Sequence, residues 1–536
     1  MAQGREDERD DLSRSAAGDR NPWLVAVVIS LATFMQVLDT SIANVALRNI
    51  AGSLAAGVDE STWVITSYLV ASAVVLPISG WLSGVVGRKR FYMLCVATFT
   101  AASLMCALAP SLGMLIVFRV LQGLGGGGMA PSEQAMLADT FPARQRAQAF
   151  ALYGVAVIVA PTIGPTLGGW LTDNYSWHWI FLINGPIGLL SLALVGWLVT
   201  EPETLRRERR EKLAGGLRVD WIGFLLIAVA LGCLEVVLDK GEREDWFSSG
   251  FIVAFSVVSI ASFLLFLPWE LTRADPIVDI RLFARRQFAT ANLMMLALGA
   301  ILFGTTQLIP QLLQVSFQYT ATLSGLALMP GGLAMLLMMP LVGFTASHVA
   351  PKYLIGLGMA LVAVSMWHMM ALSPTADFSF FAWARVYQTI GLPFLFIPIT
   401  AASYAGLPPD KSSEASSLLN VSRNIGGSVG VSIAGTLLAE NTQVHQAYLA
   451  NHLVPSSPAW QAAVGHATGT LAGQGLPPPA ATGAAYALLQ QTLTQQATLL
   501  AYIDVFWGYA LLAAILVPIA FILLRPAKGG APAGAH

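Results

Sequence analysis

The sequence predicts an all-α membrane protein of fourteen transmembrane helices, arranged as two six-helix bundles with an inserted helix pair. Three observations predict it. Of 536 residues, 55% are hydrophobic and only 11% are charged, too little charge to cover a soluble domain of that size. Apolar runs long enough to cross about 30 Å of hydrocarbon recur along the chain. The basic residues lie almost entirely in alternate connecting segments.

The spans fall near 23–47, 62–84, 91–109, 112–138, 147–170, 178–200, 220–238, 250–270, 288–315, 322–346, 352–372, 378–404, 414–439 and 502–524. With both termini in the cytoplasm, 23 of the 29 Lys and Arg residues lie on the cytoplasmic side. Arg48, Lys240 and Arg243 lie outside, and Arg119, Arg385 and Arg423 lie within spans. A missed or spurious helix would put basic blocks on the wrong side. The N-terminal tail lacks a cleavage site and the first apolar run is too long for a signal peptide, so that run reads as a retained span.

The chain divides into a cytoplasmic tail (1–22), a first bundle (23–200), a basic loop (201–219), an inserted pair (220–271), a second loop (272–287), a second bundle (288–525) and a C-terminal tail (526–536). The second bundle includes an external segment, 441–501, without Lys or Arg; it is Gly/Pro-rich near Gly473–Pro479 and then reads as a Gln-rich helix, 484–500.

The two-bundle reading comes from an internal repeat. Pro77-Ile-Ser-Gly80 in span two matches Pro340-Leu-Val-Gly343 in span ten, each followed by basic residues. Arg119-Val-Leu-Gln122-Gly-Leu-Gly125 in span four matches Arg385-Val-Tyr-Gln388-Thr-Ile-Gly391 in span twelve. Two ordered matches point to bundles related by an axis along the membrane normal, with the substrate site between them.

Charge inside a membrane is costly and marks function by default. Asp39 lies about 24 Å from the inner end of span one, and Arg119 about 10 Å below the outer face in span four. At similar depths they can pair, and protonating Asp39 would release Arg119. A permanent pair that only holds the bundle together is the competing reading. Glu133, in Pro131-Ser-Glu133-Gln134, is a second titratable candidate, or else a carboxylate solvated in an inward cavity. Arg385 and Arg423 can hold a carboxylate or an anionic substrate. Glu235, Asp239 and Asp504 lie near outer ends and read as interfacial. Gln36, Asn44, Gln122, Asn292, Gln307 and Gln311 can supply hydrogen bonds in the central cavity. The run Gly123–Gly128 holds five glycines but lacks the Lys-Ser/Thr of a phosphate loop, so it reads as a close-packing or hinge segment.

The net charge of −1 argues against nucleic acid. Seven scattered histidines and three cysteines in apolar runs form no metal-ligand or nucleophile–base spacing, which argues against an enzyme and predicts neither a metal nor an organic cofactor.

Several longer motifs carry a resemblance. Leu38-Asp39-Thr-Ser-Ile-Ala-Asn44-Val-Ala-Leu47 resembles the span-one signature of the EmrB/QacA-type drug:proton antiporters of the major facilitator superfamily. Gly80-Trp-Leu-Ser-Gly-Val-Val-Gly87-Arg88-Lys89-Arg90 resembles the superfamily's gating loop, with Gly84 at its usual acidic position. Arg119, Gln122 and Gly123 match its span-four basic motif. Gly154 with Pro161-Thr-Ile-Gly164-Pro165-Thr-Leu-Gly168-Gly169 matches the span-five antiporter motif, whose Gly and Pro give a bent, smooth-faced helix. Trp177 to Pro186, Leu238 to Gly241 and Pro276 to Asp279 are similar to further family segments.

The resemblance implies export of amphipathic, largely apolar drugs in exchange for protons, with Asp39 as carrier, Arg119 as partner and the proton gradient as energy source. The long external loop resembles the EmrB branch, which implies an inner-membrane location, a periplasmic adaptor and an outer-membrane channel. A dedicated exporter of one natural product, fatty acid or siderophore is the alternative; an importer is disfavoured by the span-five motif.

Overall fold

A computed structural model describes residues 21–142, 145–201, 203–214, 220–273, 276–405, 407 and 411–523. The terminal tails, Arg144 and part of the 201–219 loop lie outside the described residues. All regular structure in the described residues is helical.

The first bundle comprises α1 (Pro22–Ser53), α2 (Val58–Ser61), α3 (Trp63–Val75), α4 (Ser79–Val86), α5 (Arg88–Ala107), α6 (Leu112–Thr140), α7 (Arg146–Asn174), α8 (Trp179–Leu182) and α9 (Asn184–Leu198). A short helix α10 (Glu203–Ala214) leads to the inserted pair, α11 (Trp221–Lys240) and α12 (Gly250–Thr272). The second bundle comprises α13 (Arg286–Val315), α14 (Ala321–Thr345), α15 (Pro351–Met369), α16 (Phe378–Ser403), α17 (Ser412–Asn451), α18 (Pro458–Gly473) and α19 (Pro478–Leu523).

Helix starts follow local chemistry. Side-chain oxygens of Asn21, Ser111, Asp220, Thr320 and Asp377 each accept a hydrogen bond from a first-turn N–H of α1, α6, α11, α14 and α16, which satisfies donors the helix itself leaves free. At Gly87 φ is +100°; this turn between α4 and α5 needs a residue without a Cβ.

Among the described residues, eleven helices are long and apolar enough to cross a membrane, or up to thirteen when each of two bent pairs forms one span. The bent pairs are α3 with α4 (59°) and the two halves of α7 (42°). The segment expected as the thirteenth span, 414–439, is helical but is not among these apolar helices. It carries Ser416, Ser417, Asn420, Ser422, Arg423 and Asn424, polar groups that packing inside the protein, not lipid, accommodates. The last span is also longer than expected. The Gln-rich segment and the span at 502–524 form one helix of 46 residues, about 69 Å long. With α17, of 40 residues, and α18 packed on α19, it makes a helical extension beyond the bundle.

The packing repeats. In the first bundle α1 packs on α7, α3 on α6, α5 on α6 and α9 on α5; in the second α13 packs on α17, α14 on α16, α15 on α16 and α19 on α15. Between bundles the contacts are reciprocal: α7 meets α14, and α17 meets α4 and α6. The inserted α11 lies against α3 and touches α17, whereas α12 contacts α11 and is only 17% buried over its apolar stretch. Val257, Ile260, Leu264 and Leu265 stand exposed on it, the surface expected of a helix solvated by lipid.

Candidate functional site

Asp39 lies in the middle of α1, and its carboxylate meets three donors from two other helices. Arg119 Nη1 on α6 donates to Oδ2 at 2.7 Å. Gln122 Nε2, one turn along α6, donates to Oδ1 at 3.0 Å, and Asn184 Nδ2 on α9 donates to the same oxygen at 2.6 Å. Arg119 also donates to Gln122 Oε1 at 2.8 Å and, through Nε, to the Val64 carbonyl at 2.9 Å. Its guanidinium carbon lies 4.4 Å from the Tyr68 ring centroid and 5.7 Å from that of Phe181, a cation–π arrangement. Asn184 is steadied by Ser103 Oγ at 2.9 Å, which itself donates to the Phe181 carbonyl.

Asp39 is 2% exposed; Arg119, Gln122 and Asn184 are fully buried. A carboxylate so placed is tolerable only while its charge is matched, and Arg119 supplies that match.

The region around Asp39 is tied to α7. Ser41 Oγ donates to the Pro161 carbonyl at 3.3 Å, and a Cβ at Gly164 would lie 2.4 Å from Ser41 Oγ. Gly168 faces Ile42 in the same way. Farther along α7, Gly154 faces Met339 of α14 and Phe396 of α16, and Tyr153 stacks on Phe396 with centroids 5.8 Å apart. Pro161 and Pro165 lie within the helix where its two halves diverge, and Gly169 is buried. One stretch of α7 thus touches the helix of Asp39, and an earlier stretch touches the second bundle.

Glu133 sits apart from this pair, about 21 Å along α6 from Arg119. It is fully buried; Thr33 donates to Oε2 and Oε1 has no partner. Its neighbour Gln134 serves the bundle seam: Asn420 Nδ2 donates to it at 2.8 Å. Ser416 donates to the Pro131 carbonyl at 2.6 Å, and Ser417 donates to the Leu76 and Pro77 carbonyls. These bonds lie at the basic end of the molecule.

The gating-loop residues divide at the same end. A Cβ on Gly80 would lie 2.9 Å from the α17 backbone at Ser413 and Glu414. Arg88 pairs with Asp139 of α6, and its backbone N–H donates to Glu201, which also holds Arg209 at 2.8 Å. Lys89 donates to the Gly196 carbonyl at 2.8 Å, and Arg90 is exposed. Gly84 is exposed, and nothing lies within 4 Å of its Cβ position. The acidic partners of this loop therefore come from the ends of α6 and α9. Lys411 bridges Asp279 (3.1 Å) and Glu414 (2.8 Å), which joins the loop before α13 to α17.

Arg385 on α16 repeats the Arg119 geometry without the acid. Nη1 donates to Gln388 Oε1 at 2.7 Å, and Gln388 Nε2 donates to Thr305 Oγ1, where the first bundle has Asp39. Nη2 reaches Thr306 at 3.4 Å. Arg423 is 6% exposed, and its Nε and Nη1 are buried with no hydrogen-bond partner.

The proposed cavity residues separate into two sets. Gln122 and Asn292 are consumed structurally, Asn292 by the Phe288 carbonyl and Ser422. Asn44 is exposed and donates back to Thr40 O, Gln36 Oε1 is buried without a partner, and Gln307 and Gln311 are exposed. The glycine run on α6 packs tightly: Gly123 and Gly127 face α3, and Gly125 and Gly128 face α5.

Three residues of the site were not among those expected from the sequence. Asn184 lay inside a recognised motif as a lone amide in an apolar run, which is the signal that could have singled it out. Tyr68 and Ser103 offered none. Glu235 and Asp239, expected at the interface, are engaged: Glu235 is buried and accepts from Ser428 of α17 at 2.7 Å, and Asp239 accepts from Thr66 of α3. Asp504 is half-exposed and pairs with His445 at 2.7 Å. Among the described residues no cluster of His, Cys, Asp and Glu is placed to hold a metal ion.

The profile of the Major Facilitator Superfamily matches residues 29–431. The chain belongs to that superfamily. It is 37% identical to the multidrug export protein EmrB of Escherichia coli K12, with 96% of this chain and 98% of that protein aligned. It is 34% identical to the fatty acid resistance protein FarB of Neisseria gonorrhoeae, over 94% and 97% of the two chains. Among solved structures it superposes on the proton:xylose symporter XylE with a TM-score of 0.61 at 13% identity, covering 95% of this chain and 96% of that one, a likeness of fold alone. The chain is thus a multi-pass membrane transporter of the EmrB-type branch of the superfamily.

Proposed function

We propose that the chain is a proton-coupled multidrug exporter that moves amphipathic compounds out of the cytoplasm by alternating access. The observation that carries this reading is the Asp39 carboxylate, buried, paired with Arg119, and on the helix that abuts the Pro161–Gly169 segment of α7. Protonation of Asp39 loosens Arg119, and the change in α1 reaches the second bundle through α7. The multidrug export proteins among its relatives support the substrate breadth. The proton gradient supplies the energy. The basic end is assigned to the cytoplasm of an inner-membrane protein, so the seam of Ser416, Ser417 and Asn420 is the cytoplasmic gate, closed in this conformation. The extension of α17, α18 and α19 then projects into the periplasm, where it would meet an adaptor protein and, through it, an outer-membrane channel.

In proteoliposomes with an imposed proton gradient, Asp39→Asn is expected to abolish drug-coupled proton movement; its retention would sink the reading. Efflux by a chain lacking 454–476 in intact cells tests the adaptor separately: loss of efflux with retained proteoliposome transport is the expected pattern.

Arg423 favours a second reading, export of a carboxylate such as a fatty acid, since two of its guanidinium nitrogens, Nε and Nη1, are buried without a hydrogen-bond partner and one relative is a fatty acid resistance protein. Protection by laurate against thermal unfolding, lost in Arg423→Gln, would support it.

A further inference from the structure

Two arginines meet where the lipid-facing helix α12 ends, at the basic end of the molecule. Arg281, in the helical turn Ile280–Ala284, reaches back and donates through Nη2 to the carbonyls of Leu271 (3.1 Å) and Arg273 (2.6 Å). It thereby satisfies acceptors that the last turn of α12 leaves free, at the pole of the helix that favours a cation. The Arg273 guanidinium carbon lies 4.2 Å from the Trp269 ring centroid, a cation–π stack. Both sets of partners are neutral, and among the described residues no Asp or Glu forms an ion pair with Arg273 or Arg281. The described acids of this corner are engaged or enclosed. Asp220 accepts from Trp269 Nε1 at 2.8 Å and from the Gly223 N–H, Asp279 pairs with Lys411, and Glu270 is fully buried.

Both arginines are exposed, and the surface that leads to them is apolar. Val257, Ile260, Leu264 and Leu271 recur at three-, four- and seven-residue steps, which places them on one face of α12, and each is more than half exposed. The helix has 23 residues, about 34 Å, against a hydrocarbon thickness of about 30 Å. Trp269 and Arg273 therefore stand at headgroup level, where an aromatic ring marks the boundary. An apolar stripe thus runs down to two guanidinium charges that the described protein groups do not neutralise.

We propose that this corner binds the headgroup of an anionic phospholipid, with Arg273 and Arg281 donating to its phosphate and the Val257–Leu271 stripe seating an acyl chain. A guanidinium presents several N–H donors in a plane that matches phosphate oxygens. Arg281 spends Nη2 on the carbonyls and keeps Nε and Nη1 for the lipid. That clip fixes its charge beside Arg273 before any lipid arrives, so little ordering is left to cost affinity. A zwitterionic headgroup carries its own cation and gains less from the pair. The claim concerns the inserted helix and its lipid, and it holds whether or not the chain exports drugs.

A bimane fluorophore on Thr272→Cys, an exposed position beside the pair, reads the lipid there in the full-length chain carrying Cys233→Ala, reconstituted in phosphatidylcholine nanodiscs. Quenching by brominated phosphatidylglycerol is compared with quenching by brominated phosphatidylcholine of the same chains. Phosphatidylglycerol is expected to be enriched at the label at least about fivefold over its bulk fraction. The same label on Gly250→Cys, exposed at the other end of α12, should report no enrichment. Arg273→Gln should lower the enrichment to less than about twofold, and Arg273→Lys, which keeps the charge, should hold at least about half of it. Arg281→Gln should act like Arg273→Gln; since it also frees two carbonyls, its melting temperature in lipid-free detergent is measured alongside, and the Arg273 variants decide. The proposal is overturned if the parent shows no enrichment at Thr272→Cys, if Gly250→Cys shows as much, if Arg273→Gln keeps it, or if Arg273→Lys loses as much as Arg273→Gln. Failure of the export reading would appear as absent transport with these quenching results unchanged.

Discussion

The two bundles carry the same Arg–Gln construction, and they differ in what the glutamine amide meets. In each, the Arg of an Arg-Val-x-Gln segment donates to the Gln carbonyl oxygen one turn on, and the Gln amide donates to the first helix of its bundle. In the first bundle that acceptor is Asp39; in the second it is Thr305. The first arginine therefore has a counter-ion that a proton can remove, and the second has only neutral oxygen partners. A repeated scaffold thus sets a carboxylate against its arginine on one side and only neutral partners on the other, the asymmetry on which the proposed proton coupling rests.

That contrast can be attacked directly. Asp39→Thr makes the first bundle like the second and leaves Arg119 buried without a counter-ion, at a cost of about 3–5 kcal/mol. Thermal unfolding of the purified protein should fall accordingly, and gradient-driven export in proteoliposomes should cease. Export that survives this substitution would place proton coupling elsewhere.

The reverse change, Thr305→Asp, brings a carboxylate to Arg385 and should stabilise the second bundle by about 1.5–3 kcal/mol, the scale of a hydrogen bond to a charged group. Export is expected to persist, because Asp39 remains. A lower unfolding temperature would show that Arg385 is matched by something other than Thr305, Thr306 and Gln388.

Gly164→Ala sharpens how the asymmetry reaches the seam between the bundles. The added methyl meets Ser41 Oγ at 2.4 Å, and overpacking of this kind costs about 1–3 kcal/mol. Transport rate should drop while drug binding holds, and Ser41→Gly on the same background should restore part of the rate. No rescue would detach α7 from the proton site.

The smallest effect belongs to the basic-end seam. Ser416→Ala and Ser417→Ala each remove hydrogen bonds worth about 0.5–1.5 kcal/mol. Spin-label distances between α4 and α17 should then show a larger open population at that end. An unchanged distribution would assign closure to the aromatic stack of Phe150 and Tyr404 instead.

Much of this was readable from residues alone, and for a physical reason: lipid punishes charge. Asp39, Arg119 and Arg385 announced themselves as charges inside apolar runs, whereas Gln122, expected in the cavity, proves with Gln388 to serve the arginine one turn before it. The helix at 414–439 was read as a span like the others, but its polar face is covered by neighbouring helices and not by lipid. Asn184 and Ser103 could not be found by the same means, because a neutral amide or hydroxyl in a membrane helix is cheap and common. Glu235 was misjudged because depth was counted along one helix, whereas its burial comes from α3 and α17. The gating loop is a similar case. Gly84 lacks a carboxylate, and the acids that serve Arg88 come from Asp139 and Glu201, remote in sequence.

The sequence by itself determined that this protein lives in a membrane, which end of it is basic, that its bundles are copies, and that an aspartate and three arginines lie within its spans. Those are properties of composition and period, decided by what lipid and water each accept. Only the tertiary structure decided which groups share Asp39, how its helix leans on α7, and that the inserted pair presents Glu235 to a seam between bundles. These follow from distances between helices far apart in the chain, and packing, not local pattern, sets such distances.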